Sequence, residues 1–147
     1  MKSRRSLPHA IPPWVRVDAT WFVTACARSR GVDTLCVEPL ATMLLESLQT
    51  HAERARWTLH LGVLMPDHLH LVLSGQDPAV VVRNWKRYTA RHYGVRWQRD
   101  FFEHRLRADE SFHAKVEYIL QNPVRAGLVA SASAWPHLVG TAPRAVR

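Results

Sequence analysis

WTLHLGVLMPDHLHLVL, residues 57–73, is the stretch on which the fold turns. Its first half alternates: Trp57, Leu59, Leu61, Val63 and Met65 fall on one side of an extended chain, the pattern of a half-buried strand. Pro66-Asp67 is a turn signal, and an apolar run to Leu73 follows it. The spacing predicts an antiparallel hairpin. In its second strand His68 and His70 stand two residues apart, so both imidazoles leave one face while Leu69, Leu71 and Leu73 take the other. Two imidazoles on one rigid element are what a metal site needs. One solvated face of a half-exposed strand is the plainer reading of the same spacing.

Working outward, DATWFVTACA at 18–27 is rich in β-branched and aromatic residues and reads as a strand. Residues 38–54 read as a helix, with Pro39 in its first turn and Leu40, Leu44 and Leu48 as an apolar stripe. After the hairpin, Asp77-Pro78 reads as N-cap and first residue of a second helix that stops at Gly94. Residues 97–106 are an ambiguous fourth strand. A third helix is expected from about Asp109 to Asn122, ended by Pro123, with loop and tail beyond. The order β-α-β-β-α-β-α predicts an α+β, ferredoxin-like fold: an antiparallel sheet of four to five strands with helices packed on it.

Composition sets the class. At 147 residues, 47% hydrophobic and 22% charged, the chain is sized and composed as one globular domain, residues 14–147, preceded by a basic arm at 1–13. No apolar run approaches a membrane span, and the N-terminus lacks the apolar core of a secretory signal. Cys26 and Cys36 form no disulfide framework and fit a reducing cytoplasm. The formal net charge of +8 points to a polyanionic partner. Residues 83–107 hold Arg83, Lys86, Arg87, Arg91, Arg96, Arg99, Arg105 and Arg107 against Asp100 and Glu103. Trp85, Tyr88, Tyr93, Trp97, Phe101 and Phe102 are interleaved with them, and cations beside stacking surfaces suit a single-stranded nucleic acid.

On the third helix, Phe112, Val116, Ile119 and Leu120 form the core-facing stripe. Tyr118 lies off its centre, and Asn122 follows one turn later. Ordinary amphipathic packing accounts for such a pair as well as catalysis does.

Several stretches together resemble the single-tyrosine HUH transposases, and within them the REP-associated tyrosine transposases. MPDHLHLVL (65–73) is similar to the family's His-hydrophobic-His motif, and YILQNPVRAGLV (118–129) to its tyrosine motif. WQRDFFEHRLR (97–107) resembles the strand leading to the catalytic helix, WFVTACARSR (21–30) the first strand, and Trp135-Pro136 the end of the domain. The resemblance spans about residues 14–137. It departs from fuller members in having little sequence after Trp135, so a C-terminal DNA-contacting extension is expected to be short or absent.

The resemblance implies an HUH-type endonuclease fold and a metal-dependent single-stranded DNA endonuclease and strand transferase acting at hairpin, REP-like DNA. Tyr118 would be the nucleophile, forming a 5′-phosphotyrosine. His68, His70 and Asn122 would hold Mg²⁺ or Mn²⁺. Lys115 and His104 are candidates to contact phosphate or tune the tyrosine. Arg4, Arg5, Arg16, Arg83, Lys86, Arg87 and Arg91 are the candidate DNA contacts, and a cytoplasmic monomer is favoured over a homodimer. The competing reading is a domesticated, non-catalytic protein that binds single-stranded nucleic acid. A zinc hydrolase would need a further ligand, and Asp67 is expected to point to the other face of the strand.

Overall fold

The computed structural model describes residues 19–107 and 110–141. Strand β1 (Thr20–Cys26) leads to helix α1 (Leu40–Arg54), the hairpin β2 (Thr58–Met65) and β3 (His68–Ser74), helix α2 (Pro78–Tyr93) and the short strand β4 (Phe102–Arg105). Helix α3 (Phe112–Leu120), the single turn α4 (Asn122–Arg125), a 3-10 turn (Ala132–Ala134) and β5 (Leu138–Val139) complete the described chain. The strands form one five-stranded sheet in the order β4-β1-β3-β2-β5, with every pair antiparallel. The ferredoxin-like α+β expectation therefore holds, with β5 added beside β2.

Local signals explain most of these elements. Asp77 accepts a hydrogen bond from the N–H of Ala79 and caps α2, and Gly94 ends it at φ 73°, a left-handed value that suits glycine. Leu44 and Leu48 of the α1 stripe are fully buried. Pro66-Asp67 is the whole connection of the hairpin, since Met65 and His68 face each other across it.

The sheet is packed on both sides, and β3 belongs to both cores. Leu69, Leu71 and Leu73 join Val23, Leu44, Leu48, Val82 and Trp85 under α1 and α2. Val72 of the same strand joins Leu61, Val63, Met65, Val116, Ile119, Leu120 and Trp135 on the opposite side, under α3. His68 and His70 share that second side, beside the apolar cluster.

Three expectations need correction. Leu59 and Leu61 do not share a face: Leu59 pairs with Leu73 and Leu61 with Val72, so His60 is an extra residue in β2. This β-bulge sends Leu59 into the first core and Leu61 into the second, because one extra residue inverts every side chain beyond it. Second, the chain after Pro123 is not a tail. Pro123 lies in the first turn of α4, where a missing N–H costs nothing, and β5 pairs with Gly62 and Val63. Gly62 makes room for that docking: a Cβ there would come within 2.9 Å of the Val139 side chain and 3.3 Å of that of Leu48. Third, Ser111 caps α3 by accepting from the N–H of Ala114, so the helix starts at Phe112; the expected start at Asp109 lies outside the described residues.

Half of the aromatics of 83–107 are not stacking surfaces. Trp85, Trp97 and Phe101 are buried, and the indoles of Trp85 and Trp97 donate to Ser47 and Thr89. No helix among the described residues is long and apolar enough to cross a membrane. The C-terminal segment is anchored by Trp135, whose indole donates to the Leu64 carbonyl at 3.0 Å within the second core. Trp135→Ala is expected to cost about 3–5 kcal/mol in urea unfolding. Asp77→Ala, which removes only a cap, should cost about 1 kcal/mol.

Candidate active site

The two histidines of β3 lie side by side. Their ring centroids are 4.7 Å apart and their planes are nearly perpendicular, at 83°. Each ring is tied down through Nδ1. His68 Nδ1 is 2.7 Å from a carboxylate oxygen of Asp67, and His70 Nδ1 is 3.0 Å from the hydroxyl of Thr24, its cross-strand partner on β1. An ionised carboxylate only accepts, so His68 Nδ1 carries a proton, and Nε2 is the ring nitrogen left to meet a ligand. The Thr24 hydroxyl can accept from His70 in the same way. Anchoring of this kind is what fixes the orientation and tautomer of ligating imidazoles.

Electrostatics reinforce it. Burial first, then the charges of His68, Arg125 and Arg30, lower the pKa of His70 to about 3, so its ring is neutral at physiological pH. Burial alone would raise the Asp67 carboxyl. Hydrogen bonds from the Gly31 N–H, His68 and Arg30 outweigh it and hold the group well below the usual carboxylate range. Asp67 belongs to the turn rather than to the alternation of the strand, which is why its carboxylate reaches His68 instead of pointing to the other face.

The helical side of the site comes from α3 and α4. Val116, Ile119 and Leu120 are buried against the sheet, and Tyr118 is left 63% exposed. Asn122 opens α4 directly after Gln121, the single residue between the two helices, whose torsions stay in the right-handed region. Arg125 joins the pieces. Its guanidinium carbon stands 3.8 Å from the Tyr118 ring centroid, and one nitrogen donates both to the Tyr118 carbonyl at 2.7 Å and to the Asn122 side-chain oxygen. The same charge is felt at His70.

His68 and His70 are adjacent and each is held through Nδ1, while the Asn122 side-chain oxygen accepts from the Arg125 guanidinium. Among the described residues no three His, Cys, Asp or Glu side chains converge, so a zinc hydrolase of the usual ligand set has no third ligand there.

Other candidates are placed differently. His104 Nε2 lies 3.1 Å from Glu110, and Lys115 lies 3.6 Å from its other oxygen, so both side chains converge on one carboxylate at the β4–α3 connection. Lys86 is buried. Its ammonium donates to the carbonyls of Gln98, Arg99 and Asp100, and burial lowers its pKa, so it braces a loop rather than meeting phosphate. Arg83, Arg87 and Arg91 are exposed on α2. Tyr88 and Tyr93 lie on that helix too, on the far side of the sheet from Tyr118. Arg4, Arg5 and Arg16 fall outside the described residues.

Asp67, Thr24, Arg30 and Arg125 are the residues that reading the sequence missed. Arg125 was within reach, being three residues after Asn122 and seven after Tyr118 at helical spacing. Thr24 depends on strand register, which no local pattern carries. The Asp67 contact is directly measurable: in Asp67→Asn, ¹⁵N chemical shifts of His68 should show loss of the single Nδ1–H tautomer, while those of His70 stay unchanged.

No protein-family model matches the chain. An Escherichia coli REP-associated tyrosine transposase is 28% identical over 123 residues, covering 80% of this chain and 73% of that protein. A Haemophilus influenzae protein given the same name provisionally is 30% identical over 95 residues, which is 50% of this chain and 53% of its own length. A solved structure of a REP-associated tyrosine transposase bound to a REP hairpin superposes with a TM-score of 0.76 at 26% identity, covering 94% of this chain and 82% of the other. In sequence and in fold, this chain is similar to the REP-associated tyrosine transposases.

Proposed function

We propose that this protein is a metal-dependent single-stranded DNA endonuclease and strand transferase that acts beside hairpins through a 5′-phosphotyrosine on Tyr118. The observation that carries this reading is Arg125. It stacks on Tyr118, bonds the Asn122 oxygen and lowers the pKa of His70, so the nucleophile and the proposed ligands share one neighbour. The named activity of the relatives and the REP hairpin bound by the structural neighbour support the same substrate class.

His68, His70 and Asn122 would hold a divalent ion, which when bound polarises the scissile phosphate and offsets charge on its oxygens. Two imidazoles and one carboxamide favour Mn²⁺ over Mg²⁺ on ligand preference. The remaining chemistry belongs to the chain. Tyr118 attacks phosphorus, the bond from phosphorus to the 3′-oxygen breaks, and that oxygen leaves as a 3′-hydroxyl after taking up a proton. The phenol gives its proton to water, which reaches it because the side chain is exposed. The Arg125 guanidinium stacks over the ring and holds it by cation–π attraction. Attack by a 3′-hydroxyl on the phosphotyrosine reverses the step and needs no nucleotide cofactor.

Helix α3, which carries Tyr118, packs through Val116, Ile119 and Leu120 on the sheet of its own chain, which supports action as a monomer.

Tyr118→Phe should abolish the covalent adduct with a hairpin oligonucleotide in Mn²⁺, seen on a denaturing gel, and leave hairpin affinity within about twofold. An adduct that survives in the Phe variant makes Tyr118 structural. A wild-type chain that binds hairpins and never forms an adduct supports the non-catalytic reading instead. Asp67→Ala should weaken Mn²⁺ binding, measured by calorimetry, roughly 10- to 100-fold, as loss of a ligand-orienting partner does.

A further inference from the structure

A groove of about 750 Å³ runs between α2 and the 95–101 segment, and Arg28, Arg83, Arg87, Arg96 and Arg99 line it. Asp100 is the one acidic residue in its wall. Trp97 and Phe101 contribute to its floor but are buried, so it offers guanidinium groups rather than stacking faces. A second cleft, of about 230 Å³, lies beside the active site. Thr24, which holds His70, lines it, as do Arg30, which holds Asp67, and Cys26, which pairs with His68 across the sheet. Gln98, Asp100 and Phe101 line both depressions. The two are therefore neighbours across one short loop, and Lys86 braces that loop from beneath through the carbonyls of Gln98, Arg99 and Asp100.

We propose that the arginine groove binds the sugar-phosphate backbone of the single-stranded segment flanking the cleaved phosphate, received from the active site over the Gln98–Phe101 loop. This rests on the reading of the site as a DNA transferase. Guanidinium is suited to phosphate oxygens, and several of them around one groove can contact successive phosphates. With no exposed ring on the floor, recognition is of backbone and not of base. A duplex holds two backbones at fixed separation and cannot bend from one cleft into the next; a single strand can.

The test compares a blunt hairpin with the same hairpin carrying a six-nucleotide tail, placed on the 5′ and then the 3′ side. Binding is measured in chelator so that no cleavage intervenes. The Arg87→Ala/Arg96→Ala/Arg99→Ala chain should bind one tailed hairpin roughly tenfold more weakly at moderate salt, and its log-log salt slope should fall by about 2, for three phosphates at about 0.7 each. Blunt-hairpin affinity should be unchanged, and a tail of abasic phosphodiester units should behave like the nucleotide tail. The corresponding triple Lys chain keeps the charge and should keep the slope, which separates the effect from misfolding. Equal weakening on the blunt hairpin assigns the groove to the stem and overturns the proposal, as does loss of the effect with the abasic tail or an unchanged triple Ala chain. Failure of the enzymatic reading would appear separately, as absence of a Tyr118 adduct alongside an intact groove effect.

Discussion

The pleat of β3 is the constraint on which the other features depend. Alternation forces its odd-numbered leucines into the core beneath α1 and α2 and leaves His68, His70 and Val72 on the other side. That second side has to be half covered and half open. Val72 and the apolar residues of β2 seat α3, while the histidines stay at the margin of the cluster. Moving β3 by one register position would bury both imidazoles under α1 and α2 and expose three leucines. Foldability and the site are thus fixed by the same backbone geometry.

The chain uses its positive charge in three ways. Lys86 lies inside and supports a loop through carbonyl oxygens. Arg30 and Arg125 work within the site, one clamping Asp67 and the other resting on Tyr118 and Asn122. The exposed arginines of α2 and the loop after it make an open electrostatic surface. Composition reports only the sum of these, so net charge indicates a polyanionic partner without saying which side chains meet it.

The parts of the fold that could be read from the sequence are those set by neighbours in the chain. The hairpin, the Asp77 and Gly94 caps of α2, the α1 stripe and the shared face of His68 and His70 all follow from spacing of a few residues. The misreadings come from effects that spacing does not encode. The extra residue in β2 is invisible because both Leu59 and Leu61 are apolar and each is buried, only in different cores. The C-terminal segment looked like a tail because its order comes from docking: a two-residue strand on Gly62 and Val63, and an indole bonded to a carbonyl seventy-one residues away. In the site, the histidines, tyrosine and asparagine stood out by motif. Thr24 and Arg30 emerge only once β1 lies against β3.

The bulge in β2 has a consequence for how the chain can vary. The extra residue, His60, rests its ring 5.0 Å from that of Phe112 at the start of α3 and shares a 2.6 Å hydrogen bond with the Ser74 hydroxyl. Losing one residue here would restore regular pairing and look harmless by length. It would also exchange inside for outside along the start of β2 and remove a support from the helix that carries the tyrosine. Insertions and deletions are therefore barred from a position that substitution could still explore. In a lineage of this protein, the number of residues between α1 and the histidine strand should stay constant even where their identities drift.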